Sequence, residues 1–263
     1  MDYNALLSNL KNYLDYLQLV EGDRLFINND HIKQEFNLLN VSNTNNNISK
    51  YNNEIANVKE LFHISINEEN DLDWKTAKTL QELYSKIKDC QKCPFGKSRT
   101  HFVFGEGNPN AEVMIIGEAP GADEDKIGKP FVGKAGQLLT KIIESINFKR
   151  DEVYIANIVK CRPPNNKTPV EDEWKECLPY LIKQIELIKP KIMLLLGAVP
   201  FKALLGSFHQ ITKERGQIFY YNGIPTIPTF HPAYLLRNPA AKKDVWIDVQ
   251  LLRKIFDEQK NIQ

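Results

Sequence analysis

The sequence is short of several things at once. No apolar run approaches the ~20 residues that a membrane-spanning helix needs, so a helical span is not expected. The polar opening, MDYNALLSNLKNYLDYL, does not read as a signal peptide. A soluble, intracellular protein is therefore expected, in the cytoplasm or nucleoid if the source is prokaryotic. Cysteine is scarce, four in 263 residues, and without a secretory signal these are not expected to form a disulfide framework. Net charge is nearly absent too, at +1.

That near-neutrality conceals an asymmetry. Residues 1–73 hold 5 Lys+Arg against 12 Asp+Glu, a balance of −7; the remaining 29 and 21 give residues 74–263 a balance of +8. A basic larger part suits a polyanionic partner, although a well-solvated surface would read the same way. At 42% hydrophobic residues the chain can bury a sizeable core, and its length accommodates one large domain plus an appendage.

Leu6, Leu7, Leu10, Tyr13, Leu14 and Leu17 recur at helical spacing, so residues 1–36 are expected to form a small helical extension. Residues 37–72 are Asn-rich with little periodicity and read as a disordered linker. Residues 73–263 alternate between two patterns. Apolar strand-like runs occur at 112–117, 152–160 and 191–197. Helical periods occupy 73–88, 135–146, 169–189, 198–206 and 242–259. Residues 217–230 read as a hairpin or two short strands around Asn222-Gly223. Fully apolar strands alternating with helices imply a parallel sheet covered on both faces. In such sheets ligands bind at the carboxyl ends of the strands. The residues there are Gly117–Gly121, Asn157–Cys161, Gly197–Ala198 and His231.

Cys90 and Cys93 form a C-x2-C after a helix; Cys161 and Cys177 are separated by fifteen residues. Four thiolates can hold zinc or an iron–sulfur cluster. The wide second pair is unlike a zinc-ribbon knuckle and favours a [4Fe–4S] cluster, with zinc the runner-up and four unrelated buried thiols the plain alternative.

GEAPGADEDKIGKPFVGKAGQLL from Gly117, NIVKCRPPNNKTP from Asn157 and HPAYLLR from His231, with the upstream C-x2-C, together resemble the family 4 uracil-DNA glycosylases. The resemblance covers roughly residues 75–258. It implies an α/β/α fold of three layers around a four-stranded parallel sheet. The implied activity is hydrolysis of the bond between uracil and deoxyribose in DNA, leaving an abasic site. Glu118 would then be the carboxylate beside the attacking water, and His231 the histidine facing the leaving group. Gly117 would belong to the uracil pocket, with Phe131 stacking on the base and Asn157 reading its edge. Glu124 would close off the base's C5 side. Cys90, Cys93, Cys161 and Cys177 would hold the cluster. Where the best-studied branch of the superfamily carries an aspartate after its motif glutamine, this chain has Ala119, so charge near the sugar must come from Glu118 or elsewhere.

The chemistry justifies these residue types. A base must leave the duplex before an enzyme can reach it, and a stacking ring recovers part of that cost. An amide matches uracil's N3–H and O4 and mismatches cytosine at both. Leu235, Leu236 and Arg237 are expected to enter the stack or meet phosphate, and Lys160, Arg162 and Lys167 to meet phosphate. Taken singly, each has a plainer reading: a core phenylalanine, a strand-capping asparagine, a structural histidine, a turn glutamate, packed leucines. Uracil-containing DNA, single- or double-stranded, is the expected partner of a monomer. The alternatives are a silent nucleic-acid-binding module or an iron–sulfur electron carrier.

Overall fold

The computed structural model describes residues 73–261. The expected extension (1–36) and linker (37–72) both lie outside the described residues. Six strands form one sheet: β1 (Glu106–Gly107), β2 (Val113–Gly117), β3 (Tyr154–Asn157), β4 (Ile192–Leu196), β5 (Phe219–Tyr221) and β6 (Ile224–Thr229). Their order is β1-β3-β2-β4-β6-β5. The inner four, β3-β2-β4-β6, are parallel. The outer two pair antiparallel, β1 on β3 and β5 on β6. The expected parallel four are thus present inside a mixed six-stranded sheet. β1 is two residues long, too short to carry a period. At the other edge Asn222 and Gly223 both take positive φ, 48° and 81°, the mirror-image turn that suits a two-residue hairpin.

Among the described residues, ten α-helices surround the sheet: α1 (Leu80–Ile87), α2 (Phe95–Ser98), α3 (Ala122–Ile127), α4 (Lys134–Ser145), α5 (Glu171–Lys175), α6 (Leu178–Ile188), α7 (Ala198–Leu205), α8 (Ile211–Glu214), α9 (Pro232–Arg237) and α10 (Lys242–Asn261). Every residue of β2, β3 and β4 is buried, as strands covered on both faces require. On one face Val113, Ile115, Ile155 and Leu194 pack with Leu139 and Ile143 of α4, Leu235 of α9, and Val245, Val249 and Leu252 of α10. Tyr154, of opposite parity, meets Gln184 of α6 through its hydroxyl. The α/β/α layering follows.

The crossover after β2 runs to β3 on one side, whereas the one after β4 runs to β6 on the other. Loops leaving adjacent strands in opposite directions open a crevice at their carboxyl ends. Expected residues 169–189 hold two helices rather than one, α5 and α6, with Cys177 between them. Pro179 explains the break: it has no amide hydrogen to give, and its ring crowds the preceding turn.

The end of β6 is held from below. Asp248 of α10, buried, accepts a hydrogen bond from the Thr229 hydroxyl (2.6 Å) and two from Arg215 (2.8 and 3.0 Å). Two residues beyond Thr229 lies His231. Asp248→Ala would leave the buried Thr229 hydroxyl unpaired and take from the part-buried Arg215 one of its two carboxylates, Asp244 remaining, at a cost of about 1–3 kcal/mol. A fall in the thermal unfolding midpoint of the purified variant is the expected result.

Candidate active site

The crevice holds a cleft of about 400 Å³ lined by Glu118, Glu124, Phe131, Asn157, Thr168 and His231, with Lys167, Tyr234 and Arg237 among the other lining residues. A second depression, at the β1 edge around Glu106 and Arg150, gathers surface ion pairs instead.

Strand register brings the first groups together. Gly117 ends β2 directly opposite Asn157 at the end of β3. Backbone bonds from Ile158 to the Gly117 carbonyl (2.9 Å) and from Val159 to the Glu118 carbonyl (3.0 Å) prolong the pairing into the loops. A Cβ on Gly117 would overlap both the Asn157 Oδ1 and the Phe131 ring. Asn157 is 1% exposed, and its Oδ1 has no hydrogen-bond partner. A buried carbonyl oxygen without a partner costs about 1–3 kcal/mol, so this atom is poised for a donor that arrives in the cleft.

Phe131 is held with some effort. Its φ is 53°, left-handed backbone that costs a non-glycine residue on the order of 1 kcal/mol. Glu124 supports the turn. Its Oε1 accepts from the amides of Val132 (2.8 Å) and Gly133 (2.9 Å), and its Oε2 from Gly121 (3.1 Å). Arg150 donates to the Pro130 carbonyl (2.7 Å). On the far side the Phe131 carbonyl lies where a Cβ of Gly136 would be. The ring is buried and lies 5.5 Å from the His231 ring, centre to centre, tilted by 33°. Glu124 does line the cleft, but both of its oxygens are engaged by backbone.

His231 caps the start of α9. Its Nδ1 accepts from the Ala233 amide (3.1 Å). An acceptor at Nδ1 leaves the neutral ring's proton on Nε2. Burial, helped by the Arg237 charge, draws its pKa down to about 4, so the ring is neutral near pH 7. Glu118 moves the other way: burial raises its pKa above the ordinary 4.5, opposed by a hydrogen bond from the Thr168 side chain. Thr168 was not singled out from the sequence. It lies in the loop between Cys161 and Cys177, and nothing in its immediate neighbours marks it.

Two expectations at the rim change. Leu235 is 1% exposed and belongs to the core, so it does not meet DNA; in α9 it shares the inward face with Pro232, three residues earlier. Leu236, at 48%, points outward, and Arg237 is exposed. Lys160 is wholly buried and cannot meet phosphate. Arg162 bonds the Asn166 side chain (2.8 Å) and Lys167 pairs with Glu173 (2.6 Å), both near the cleft mouth.

The cysteines also come together. Arg99 Nη1 donates to the Cys161 sulfur (3.1 Å) and the Cys90 carbonyl (2.6 Å). The Lys160 amide donates to the Cys177 sulfur (3.3 Å) and the Tyr180 hydroxyl to the Cys90 sulfur (3.3 Å). Cys90 and Cys93 bear electrostatically on Cys161, and Cys161 and Cys93 on Cys177. Burial pushes the free Cys161 and Cys177 thiols up to about 11 and 12. Donors aimed at three of the sulfurs fit thiolates, which are stronger acceptors than thiols. Among the described residues no three His, Cys, Asp or Glu side chains converge closely enough to hold a single metal ion.

Comparison with known proteins agrees with this geometry. Residues 104–251 match the model of the uracil DNA glycosylase superfamily. A type-4 uracil-DNA glycosylase of Thermotoga maritima is 46% identical over 166 residues, covering 62% of this chain and 86% of the relative. One from Saccharolobus solfataricus is 47% identical over 189 residues, covering 68% and 88%. One from Sulfurisphaera tokodaii is 44% identical over 186 residues, covering 67% and 84%. On the family match, and on relatives matched over most of their own length, the chain belongs to the uracil DNA glycosylase superfamily, in its type-4 branch.

Proposed function

We propose that the protein is a uracil-DNA glycosylase that hydrolyses the N-glycosidic bond of a uracil extruded from DNA, and that it acts as a monomer on single- or double-stranded DNA. The observation that carries this reading is the buried, unpartnered Oδ1 of Asn157 at the cleft floor. Uracil's N3–H is the donor that atom lacks. Cytosine offers an acceptor at N3 and would leave two lone pairs facing each other, which a buried site penalises heavily.

The other groups follow the charge. As the glycosidic bond lengthens, the base becomes negative and the sugar positive. Neutral His231 donates from Nε2 toward uracil O2 as that charge grows, and needs no proton transfer to do so. Glu118, largely desolvated, takes a proton from water on the sugar side and stabilises the cationic sugar. Phe131 gives the base a flat face worth ~1–3 kcal/mol. Glu124 acts one step removed, by holding the turn that presents Phe131. Leu236 enters the vacated stack, while Arg162, Lys167 and Arg237 meet phosphates. An electron-transfer module would leave this cleft without a task.

Cys90, Cys93, Cys161 and Cys177 would hold a [4Fe–4S] cluster. The wide spacing of Cys161 and Cys177, unlike a zinc-ribbon knuckle, favours the cluster over zinc. No electron-transfer step is assigned to the cluster. Joined in this way, the four cysteines would tie the segment after α1 to the end of β3 and the start of α6 and fix residues 161–177, which supply Pro163, Asn166, Lys167 and Thr168 to the cleft.

Incubation with uracil-containing single- and double-stranded oligonucleotides is expected to yield alkali-labile abasic sites. Glu118→Ala, Asn157→Ala and His231→Ala should each slow that release about a hundredfold or more. Intact oligonucleotides with the unmodified protein would refute the reading.

The pH profile separates the two titrating groups. The base must be ionised, so activity should fall as pH drops through the raised Glu118 value, above 4.5. His231, at about 4, stays neutral through that limb. The acid limb should therefore persist in His231→Gln, at lower rate, and vanish from the residual activity of Glu118→Gln. For the metal centre, Cys177→Ala should lose metal and thermal stability; a stable, metal-free and fully active variant would contradict a structural role.

A further inference from the structure

Lys160 has a task that neither the cleft nor the family match assigns. It is wholly buried. Its Nζ donates to the Asn157 carbonyl (2.9 Å) and to the Gln184 Oε1 (2.5 Å), two uncharged acceptors. Gln184 is buried as well, and its amide nitrogen is committed to the Phe104 carbonyl (3.0 Å) and the Tyr154 hydroxyl (3.2 Å). The backbone amide of Lys160 donates to the Cys177 sulfur (3.3 Å). One residue therefore touches a sulfur at one end and the peptide of the base-reading asparagine at the other.

We infer that Lys160 is a positioning residue: its buried Nζ fixes the Asn157 peptide, so that the amide facing the base keeps its angle. This rests on the glycosylase reading above. The Asn157 Oδ1 has no partner to steady it before a base arrives, so its direction depends on the backbone that carries it. That backbone receives a hydrogen bond from Lys160 Nζ, and Gln184 holds Nζ in reach of it.

Lys160→Met keeps the length and apolar stem and removes the donor. Folding is checked by circular dichroism, metal content by elemental analysis and visible absorption, and uracil release under single-turnover conditions. Release should fall about tenfold or more at unchanged metal content, but less than about twofold where Asn157 is already Ala. Equal losses in the two backgrounds, or no loss in either, would overturn positioning through Asn157. If Lys160→Met does not fold, Gln184→Leu frees Nζ while keeping it. Its partial loss of release should disappear in Asn157→Ala; a loss that persists there overturns the inference. Unmodified protein that releases no uracil would sink the glycosylase reading instead.

Discussion

Where β2 and β3 end, the backbone of Gly117 lies so near the Asn157 amide and the Phe131 ring that one methyl group would not fit between them. The rest of the site accommodates that contact. To bring its ring over Gly117, Phe131 takes left-handed backbone. A second glycine, Gly136, makes room for its carbonyl, and the Glu124 carboxylate gathers three amides to hold the turn. Strain of this kind persists only where neighbours over-determine it, and here four residues do so. The result is a flat-walled slot at the sheet's carboxyl edge, closed to any side chain at position 117 and open to a planar ring.

The second wall comes from the loop that also carries two of the cysteines. A run of two prolines and two asparagines, with Asn165 and Asn166 both at positive φ and residues 164–168 exposed, has little packing of its own and needs an external tether. Sulfur ligation at Cys161 and Cys177 would be that tether, and Thr168 and Lys167 are its products inside the cleft. Electrostatics then separates the tasks. Two basic side chains flank the site, Lys160 buried beneath the sheet end and Arg237 exposed at the rim. The latter helps to hold His231 neutral, which is the state a hydrogen-bond donor to a growing anion requires.

Much of this was legible beforehand. Apolar runs of the β2, β3 and β4 type signal doubly covered parallel strands. Gly and Pro around Glu118 and Phe131 signal a shaped loop, and the spaced cysteines signal a metal centre. Pro179 was equally visible, yet residues 169–189 were expected to form a single helix, which the structure breaks in two there. Other features had no local signature. The wedge reading of Leu235 and Leu236 treated the neighbours alike, but helical phase sends one into the core and the other to the surface. A lysine two residues before an arginine in a loop reads as a phosphate contact, yet Lys160 is wholly buried. Thr168 became significant only because Glu118, fifty residues earlier, lies beside it.

By itself the sequence determined the alternation of strands and helices, the turn chemistry and which reactive side chains exist at the strand ends, because these depend on neighbours a few positions away. Only the tertiary structure decided which of those groups face one another, that the Asn157 oxygen is left without a partner, that His231 is neutral and protonated on Nε2, and that Lys160 is enclosed among sulfurs and amides. Burial and charge are properties of everything within several ångströms of an atom, and in a folded chain those surroundings come from segments that the sequence keeps far apart.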